Sequence, residues 1–223
     1  MTDPAHRRFK DRLYGQYARI GKALASPLRL EMLELLAQGE RTVESLANEL
    51  GLSMANASQH LQVLRAAGLT ETRREGLFIH YRLSDDSVTA LSRSLRTVAE
   101  RRFAELERLV RAEFTDRTDA EPVGLKELLG RLRREDVVLL DTRPSREYQA
   151  GHIAGALSVP VDELQQQLRR LPKDKEYVAY CRGPYCVYAD RAVQILQKSG
   201  RRARRLTEGF PEWKSAGYPV EAA

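Results

Sequence analysis

Residues 177–186, Tyr-Val-Ala-Tyr-Cys-Arg-Gly-Pro-Tyr-Cys, decide how the second half of the chain folds. An apolar, strand-forming run stops at Cys181, Gly183 and Pro184 interrupt it, and an amphipathic helical pattern opens at Val187. The order is strand, tight loop, helix. Both cysteines of the 223-residue chain, Cys181 and Cys186, lie in that loop. A thiol at the opening of a helix sits among unpaired backbone N–H groups and the positive end of the helix dipole, so its nucleophilic thiolate is expected to be favoured.

A β-like run Val-Val-Leu-Leu-Asp (137–141) precedes a turn at Pro144. A short apolar run (156–160), a helix, the strand ending at Cys181, a second helix and a last short strand near 203–207 follow. Strands alternating with helices predict right-handed βαβ units and a parallel sheet. The polar stretch from about 113 to 123, with Pro122, reads as a linker.

The half before it is helix-rich. Pro27 starts a helix with Leu28, Leu30, Leu33, Leu35 and Leu36 and stops at Gly39. Thr42 caps a second helix ending at Gly51, and Ser53 caps a third with Ala57, Leu61 and Leu64 inward, ending at Gly68. Two short helices joined by Gly-Leu-Ser make a helix-turn-helix. Residues 69–83 alternate, turn at Glu75-Gly76 and return, which predicts a hairpin with a basic tip. From Val88 to Phe114 the apolar residues recur every three or four positions, except for the five-residue step from Val98 to Phe103. That pattern predicts an amphipathic helix of roughly 25 residues, more apolar than a small domain needs and suited to a second subunit.

With 42% hydrophobic and 30% charged residues the composition is that of a globular protein with a well-charged surface. The first twenty residues lack the apolar core of a secretory signal, no run approaches ~18 apolar residues, and a cytoplasmic location without membrane partners is expected. There, a cysteine pair is more readily catalytic or redox-active than a structural staple. The net charge of +6 does not by itself locate a DNA-binding half. Residues 1–120 carry 19 Lys+Arg against 17 Asp+Glu, and the remainder 18 against 14.

The run from Ala18 to about Val110 resembles the ArsR/SmtB family of winged-helix repressors. The segments that carry the likeness are ALASPLRLEMLELL, TVESLANELGLSMANASQHLQVLRAAGLT and RREGLFIHYRLS. The resemblance implies a homodimer, formed through the terminal helices, that presents its third helices to successive major grooves of a double-stranded operator. Ser53, Asn56, Ser58, Gln59 and His60 would lie near base edges, and Arg73, Arg74 and Arg82 of the wing would meet phosphates or the minor groove. The metal-sensing patterns of the family are absent: TVESLANEL has no paired cysteines and the long last helix no histidine, so no metal site is expected. The two cysteines that persulfide-sensing relatives keep in this domain are absent as well, so the signal has to enter elsewhere.

Residues from about 124 to 220 resemble a rhodanese domain, through VVLLDTRPSREYQAGHIAGALSVP, YVAYCRGPYC and LTEGFPEWKSAGYPV. That likeness makes Cys181 the nucleophile, carrying sulfane sulfur as a persulfide inside a loop formed by Arg182, Gly183, Pro184, Tyr185 and Cys186, with no cofactor. Arg182 would either draw in an anionic donor or point to solvent. Phosphatase chemistry needs Cys-x5-Arg, whereas the sixth residue after Cys181 is Val187, and a thioredoxin-type pair needs Cys-x-x-Cys. Asp141, Arg143, Glu147 and His152 are expected to hold the fold, for example through an Arg143–Glu147 pair. Trp213 is expected in the core, and the basic run 201–205 on a solvated strand edge. Cys186 is either inert or a resolving thiol.

The expected architecture is therefore a mainly-α winged helix-turn-helix followed by an α/β parallel-sheet rhodanese domain. Its divisions are residues 1–115 for DNA binding and dimerisation, 116–123 as linker and 124–223 as the rhodanese-like part. The function expected is a DNA-binding regulator, a repressor in the sense of the family, whose second domain takes up sulfane sulfur from thiosulfate, polysulfide or persulfide. The alternatives are a working sulfurtransferase fused to a regulator that answers another signal, and a rhodanese fold serving as a passive module.

Overall fold

The computed structural model describes residues 3–114 and 121–222. The chain divides into two units, Met1–Arg93 and Ser94–Ala223. Most of the linker expected at 116–123 lies outside the described residues.

In the first unit, α1 (Pro4–Leu24) starts where Asp3 accepts the N–H of Ala5 at 3.0 Å and Pro4 fills the first helical position. This helix goes beyond the sequence reading, although Asp3-Pro4 is a start signal. Helices α2 (Pro27–Leu36), α3 (Val43–Glu49) and α4 (Met54–Ala66) follow as expected. Thr42 Oγ1 accepts the N–H of Ser45 and Ser53 Oγ that of Asn56, both at 3.2 Å. Met32, Leu33, Leu46, Leu61 and Leu64 meet in the core beneath them. The wing is β2 (Thr70–Glu75) paired antiparallel with β3 (Phe78–Leu83), with β1 (Arg41–Thr42) on its other side. Its turn is Gly76-Leu77, one residue later than expected, because Glu75 pairs with Phe78 and the positive φ of 59° falls on Gly76.

The single long helix expected over 88–114 is two helices, α5 (Asp86–Arg102) and α6 (Ala104–Glu113), separated at Phe103 with φ −112° and ψ 96°. The break falls on the five-residue step in the apolar pattern. A step of five carries a side chain off the face that steps of three and four preserve.

In the second unit, the parallel sheet runs in the order β6 (Leu157–Ser158), β4 (Val137–Asp141), β7 (Glu176–Tyr180), β8 (Arg202–Arg205). Helices α7 (Leu125–Arg133), α8 (Ser145–Ala150), α9 (Leu164–Gln167), α10 (Val187–Lys198) and α11 (Phe210–Ser215) connect or flank the strands. A small antiparallel pair, β5 (His152–Ile153) with β9 (Val220–Glu221), completes it. The period of two along β7 sorts the core. Tyr177 and Ala179 share a buried cluster with Ala189 and Val193 of α10, whereas Val178 and Tyr180 share one with Leu128 of α7 and Trp213 of α11. Cys181 continues the first set and lies on the α10 side. No helix among the described residues is long and apolar enough to cross a membrane.

At the start of β7, Glu176 is gripped by Arg131 (2.8 and 3.0 Å) and Arg204 (2.8 Å). The Arg131 hydrogen bonds lead in holding its carboxyl at about 2. Because the folded value lies below the unfolded one, the stabilisation is complete above the ordinary glutamate range and is lost as pH falls from there toward about 2. Glu176→Gln is expected to cost roughly 2 kcal/mol in urea melts at pH 7, after allowing for partial exposure, and only about a quarter of that at pH 2.5.

Candidate functional site: the cysteine loop and the helix-turn-helix

Strand β7 delivers Cys181 to the C-terminal edge of the parallel sheet, and the loop returns at Cys186, which caps α10. The N–H of Cys186 donates to the Gly183 carbonyl at 3.2 Å, closing a turn that curls the loop upon itself. As a result the Cys181 sulfur lies 3.4 Å from the Cys186 carbonyl and 3.8 Å from that of Gly183. Only 2% of Cys181 is exposed, while Cys186 is half-buried and packs against the same cluster.

These environments split the two thiols. Burial pushes Cys181 well above the ordinary thiol range, and its hydrogen bond to Cys186 acts in the same direction. Cys186 is drawn down, first by that hydrogen bond, with the N–H groups of Tyr188 and Arg182 and the Arg182 charge assisting against burial. The sequence predicts a favoured thiolate in this loop; in the structure it is Cys186, at the N-cap of α10, whose anion is favoured, whereas burial disfavours that of Cys181.

Arg182 neither points to solvent nor stands free for an anion. Its guanidinium grips the buried Glu147 through three contacts, of 2.6, 3.1 and 3.1 Å. Glu147, the partner expected for Arg143, thus pairs with Arg182, and its charge acts on Arg143 as well. Arg143 is fully buried and bonds Asp141 at 2.5 Å and the Gly151 carbonyl at 2.7 Å, with the Phe210 ring 4.5 Å from its guanidinium. The Tyr180 hydroxyl donates to Asp141 at 2.6 Å and accepts the Ile153 N–H at 3.1 Å. His152 stacks on Tyr148 at 3.6 Å, and Trp213 donates to the Pro219 carbonyl at 2.8 Å.

The run 201–205 is not simply a solvated edge. Arg201 is buried against the Leu168 and Leu171 carbonyls, and Arg204 bonds Glu176 and Glu127. Composition could not reveal this, because these acceptors lie 28 to 77 residues away.

Two contacts inside the second unit reach α5, one from the loop and one from α11. The Tyr185 hydroxyl donates to Glu100 at 2.6 Å. Arg96 donates to Glu212 at 2.9 Å, and the other oxygen of Glu212 accepts the Gly209 N–H at 3.0 Å. A Cβ at Gly209 would lie 2.4 Å from the Arg182 carbonyl carbon and 2.5 Å from the Gly183 nitrogen, so this residue is pressed onto the loop backbone. A cavity of about 250 Å³ is lined by Thr142, Val161, Asp162, Glu163 and Tyr188, of which Val161 and Tyr188 also pack around Cys181.

On α4, the core stripe is Ala57, Leu61 and Leu64. Gln59 projects opposite it and is exposed, as is Ser53 at the cap, while Asn56, Ser58 and His60 sit half-buried on the flanks. Gln62, which the sequence reading passed over, is exposed one turn beyond Gln59 and donates to Ser58 at 3.4 Å. On the wing, Arg73 is held by Glu40 (2.8 Å) and Glu75 (2.9 Å), Arg82 by Glu71 (3.0 Å), and Arg74 donates to the Gly76 carbonyl. Such exposed pairs are worth at most ~1 kcal/mol, so a phosphate can displace them.

Residues 26–72 match the family profile described as bacterial regulatory protein, arsR family, and residues 124–216 that described as rhodanese-like domain. An HTH-type transcriptional regulator of Mycobacterium tuberculosis is 44% identical over 212 residues, 95% of this chain and 93% of that protein. The chain belongs to the ArsR family of HTH-type transcriptional regulators. This ArsR-family regulator carries a rhodanese domain as its second half. Its solved neighbours include the homodimeric winged helix-turn-helix DNA-binding domain of a Mycobacterium bovis protein, 41% identical over 47% of this chain and 93% of that one, with a TM-score of 0.42. A rhodanese-related protein of Thermoplasma volcanium is 25% identical over 47% of this chain and all of that one, with a TM-score of 0.43.

Proposed function

We propose that this regulator senses sulfane sulfur through Cys181 and alters its hold on operator DNA in response. The observation that carries the reading is the chain's one pair of cysteines, curled into hydrogen-bond contact at the end of the central strand of a rhodanese domain. In the step envisaged, the Cys181 sulfur attacks the outer sulfur of a thiosulfate, polysulfide or persulfide donor. The donor's sulfur–sulfur bond breaks, the rest of the donor leaves with the bonding electron pair, and Cys181 keeps the sulfur as a persulfide. Its proton leaves with the departing part of the donor or passes to solvent.

DNA recognition is assigned to α4, with Gln59 and Gln62 toward base edges, Ser53, Asn56, Ser58 and His60 beside them, and the wing arginines toward phosphates. Homodimerisation through terminal helices is supported by large apolar side chains left in solvent on α1 (Phe9, Tyr14, Tyr17) and α5 (Leu95, Val98). The Tyr185–Glu100 contact gives the loop a material connection to α5.

The test is operator affinity, measured on the DNA upstream of the chain's own gene with and without polysulfide. The donor is expected to shift the wild-type Kd about tenfold or more and the Kd of Cys181→Ser not at all. An equal shift in both proteins removes Cys181 from the signal. Mixing the protein with thiosulfate and cyanide separates the enzymatic reading, since rapid Cys181-dependent formation of thiocyanate over many turnovers would mark a working sulfurtransferase.

A further inference from the structure

We infer that Cys186 is a resolving thiol: it discharges the sulfur taken up on Cys181 as hydrosulfide and leaves a Cys181–Cys186 disulfide. The inference rests on the persulfide reading above and adds its second chemical step.

Three observations carry it. The Gly183–Cys186 backbone hydrogen bond at 3.2 Å folds the hexapeptide back, so that two cysteines five positions apart come together. Disulfide closure requires this, since the two Cα atoms must lie within about 7 Å. The two side chains pack against one apolar cluster, and the Cys181 sulfur lies 3.4 Å from the Cys186 carbonyl. Finally, Cys186 is the more exposed of the two and caps the twelve-residue α10, an environment that favours its anion; Cys181 is enclosed. An enclosed carrier beside a more exposed thiol at a helix N-cap is suited to internal attack.

The step balances without an outside oxidant. The Cys186 sulfur, giving up its proton, attacks the Cys181 sulfur. The bond between the two cysteine sulfurs forms and the bond from Cys181 to the outer sulfur breaks. The outer sulfur leaves with the electron pair and the proton as hydrosulfide, so the delivered sulfur is reduced and the two cysteines are oxidised together.

Intact-mass spectrometry of the full chain, reduced and then treated with a small excess of inorganic polysulfide, tests this. Wild type is expected to lose about 2 Da and to release sulfide, whereas Cys186→Ser is expected to gain about 32 Da and keep it. Wild type that holds the added ~32 Da without releasing sulfide overturns the inference while leaving the persulfide reading intact. Masses unchanged in both proteins, or a Cys181→Ser variant that gains the same ~32 Da, overturn the two together. Differential alkylation of the wild-type product should find both cysteines blocked in one linked peptide.

Discussion

Asp141→Ala is expected to destabilise the rhodanese half by about 3–5 kcal/mol, the range for removing one partner of a buried ion pair. The Asp141 carboxylate receives the backbone N–H of Arg143 at 3.0 Å, its Nε at 2.9 Å and the Tyr180 hydroxyl at 2.6 Å, all away from water. Alanine would leave the guanidinium, with no exposed surface, holding its charge without that carboxylate. Domains are stable by only about 5–15 kcal/mol, so the loss is a large fraction of the whole. Urea unfolding followed through Trp213, which lies in this half, measures it directly. An Asp141→Ala midpoint equal to wild type would show that the network is not structural.

The second large effect is expected from a single methyl group. Gly209 has a φ of −115°, which alanine adopts freely, so Gly209→Ala carries no backbone strain of its own. What it carries is a collision, because every atom within 2.5 Å of the new Cβ belongs to the backbone at Arg182 and Gly183. No side chain can rotate away, so the cysteine loop itself must move. A displacement near 1 Å at a reacting group costs on the order of a hundredfold in rate. Persulfide formation at Cys181, timed by mass spectrometry in the Cys186→Ser background that retains it, should slow by about that factor, with the urea midpoint shifted far less. Unchanged kinetics would mean that the loop position does not govern the chemistry.

What was legible in the sequence was local. Thr42 and Ser53 cap the helices they precede, Gly51 and Gly68 end them with positive φ, and Cys181 follows its strand, because each signal spans only a few residues. The break at Phe103 was present as the five-residue step, yet the long apolar stripe suggested continuity. Helix α1 was signalled by Asp3-Pro4, but an N-terminal segment with little buried surface offers no periodic core to confirm it. The partners of Arg182 and Arg204 were not legible at all. Glu147 stands 35 residues from Arg182 and Glu127 stands 77 from Arg204, and only the fold chooses among so many carboxylates. The opposite shifts of the two thiols were hidden for the same reason: they depend on which of them the fold buries.

The grip of Arg182 on Glu147, beside that of Arg143 on Asp141, means that the formal charges of these two pairs next to the cysteine loop already cancel. An anionic sulfur settled on Cys181 would meet no spare guanidinium from either pair to mask it. It would add a negative charge beside two pairs whose own charges already cancel, where the low dielectric of the interior magnifies its field. The quantity such a domain can report is therefore the arrival of a charge as much as the arrival of an atom.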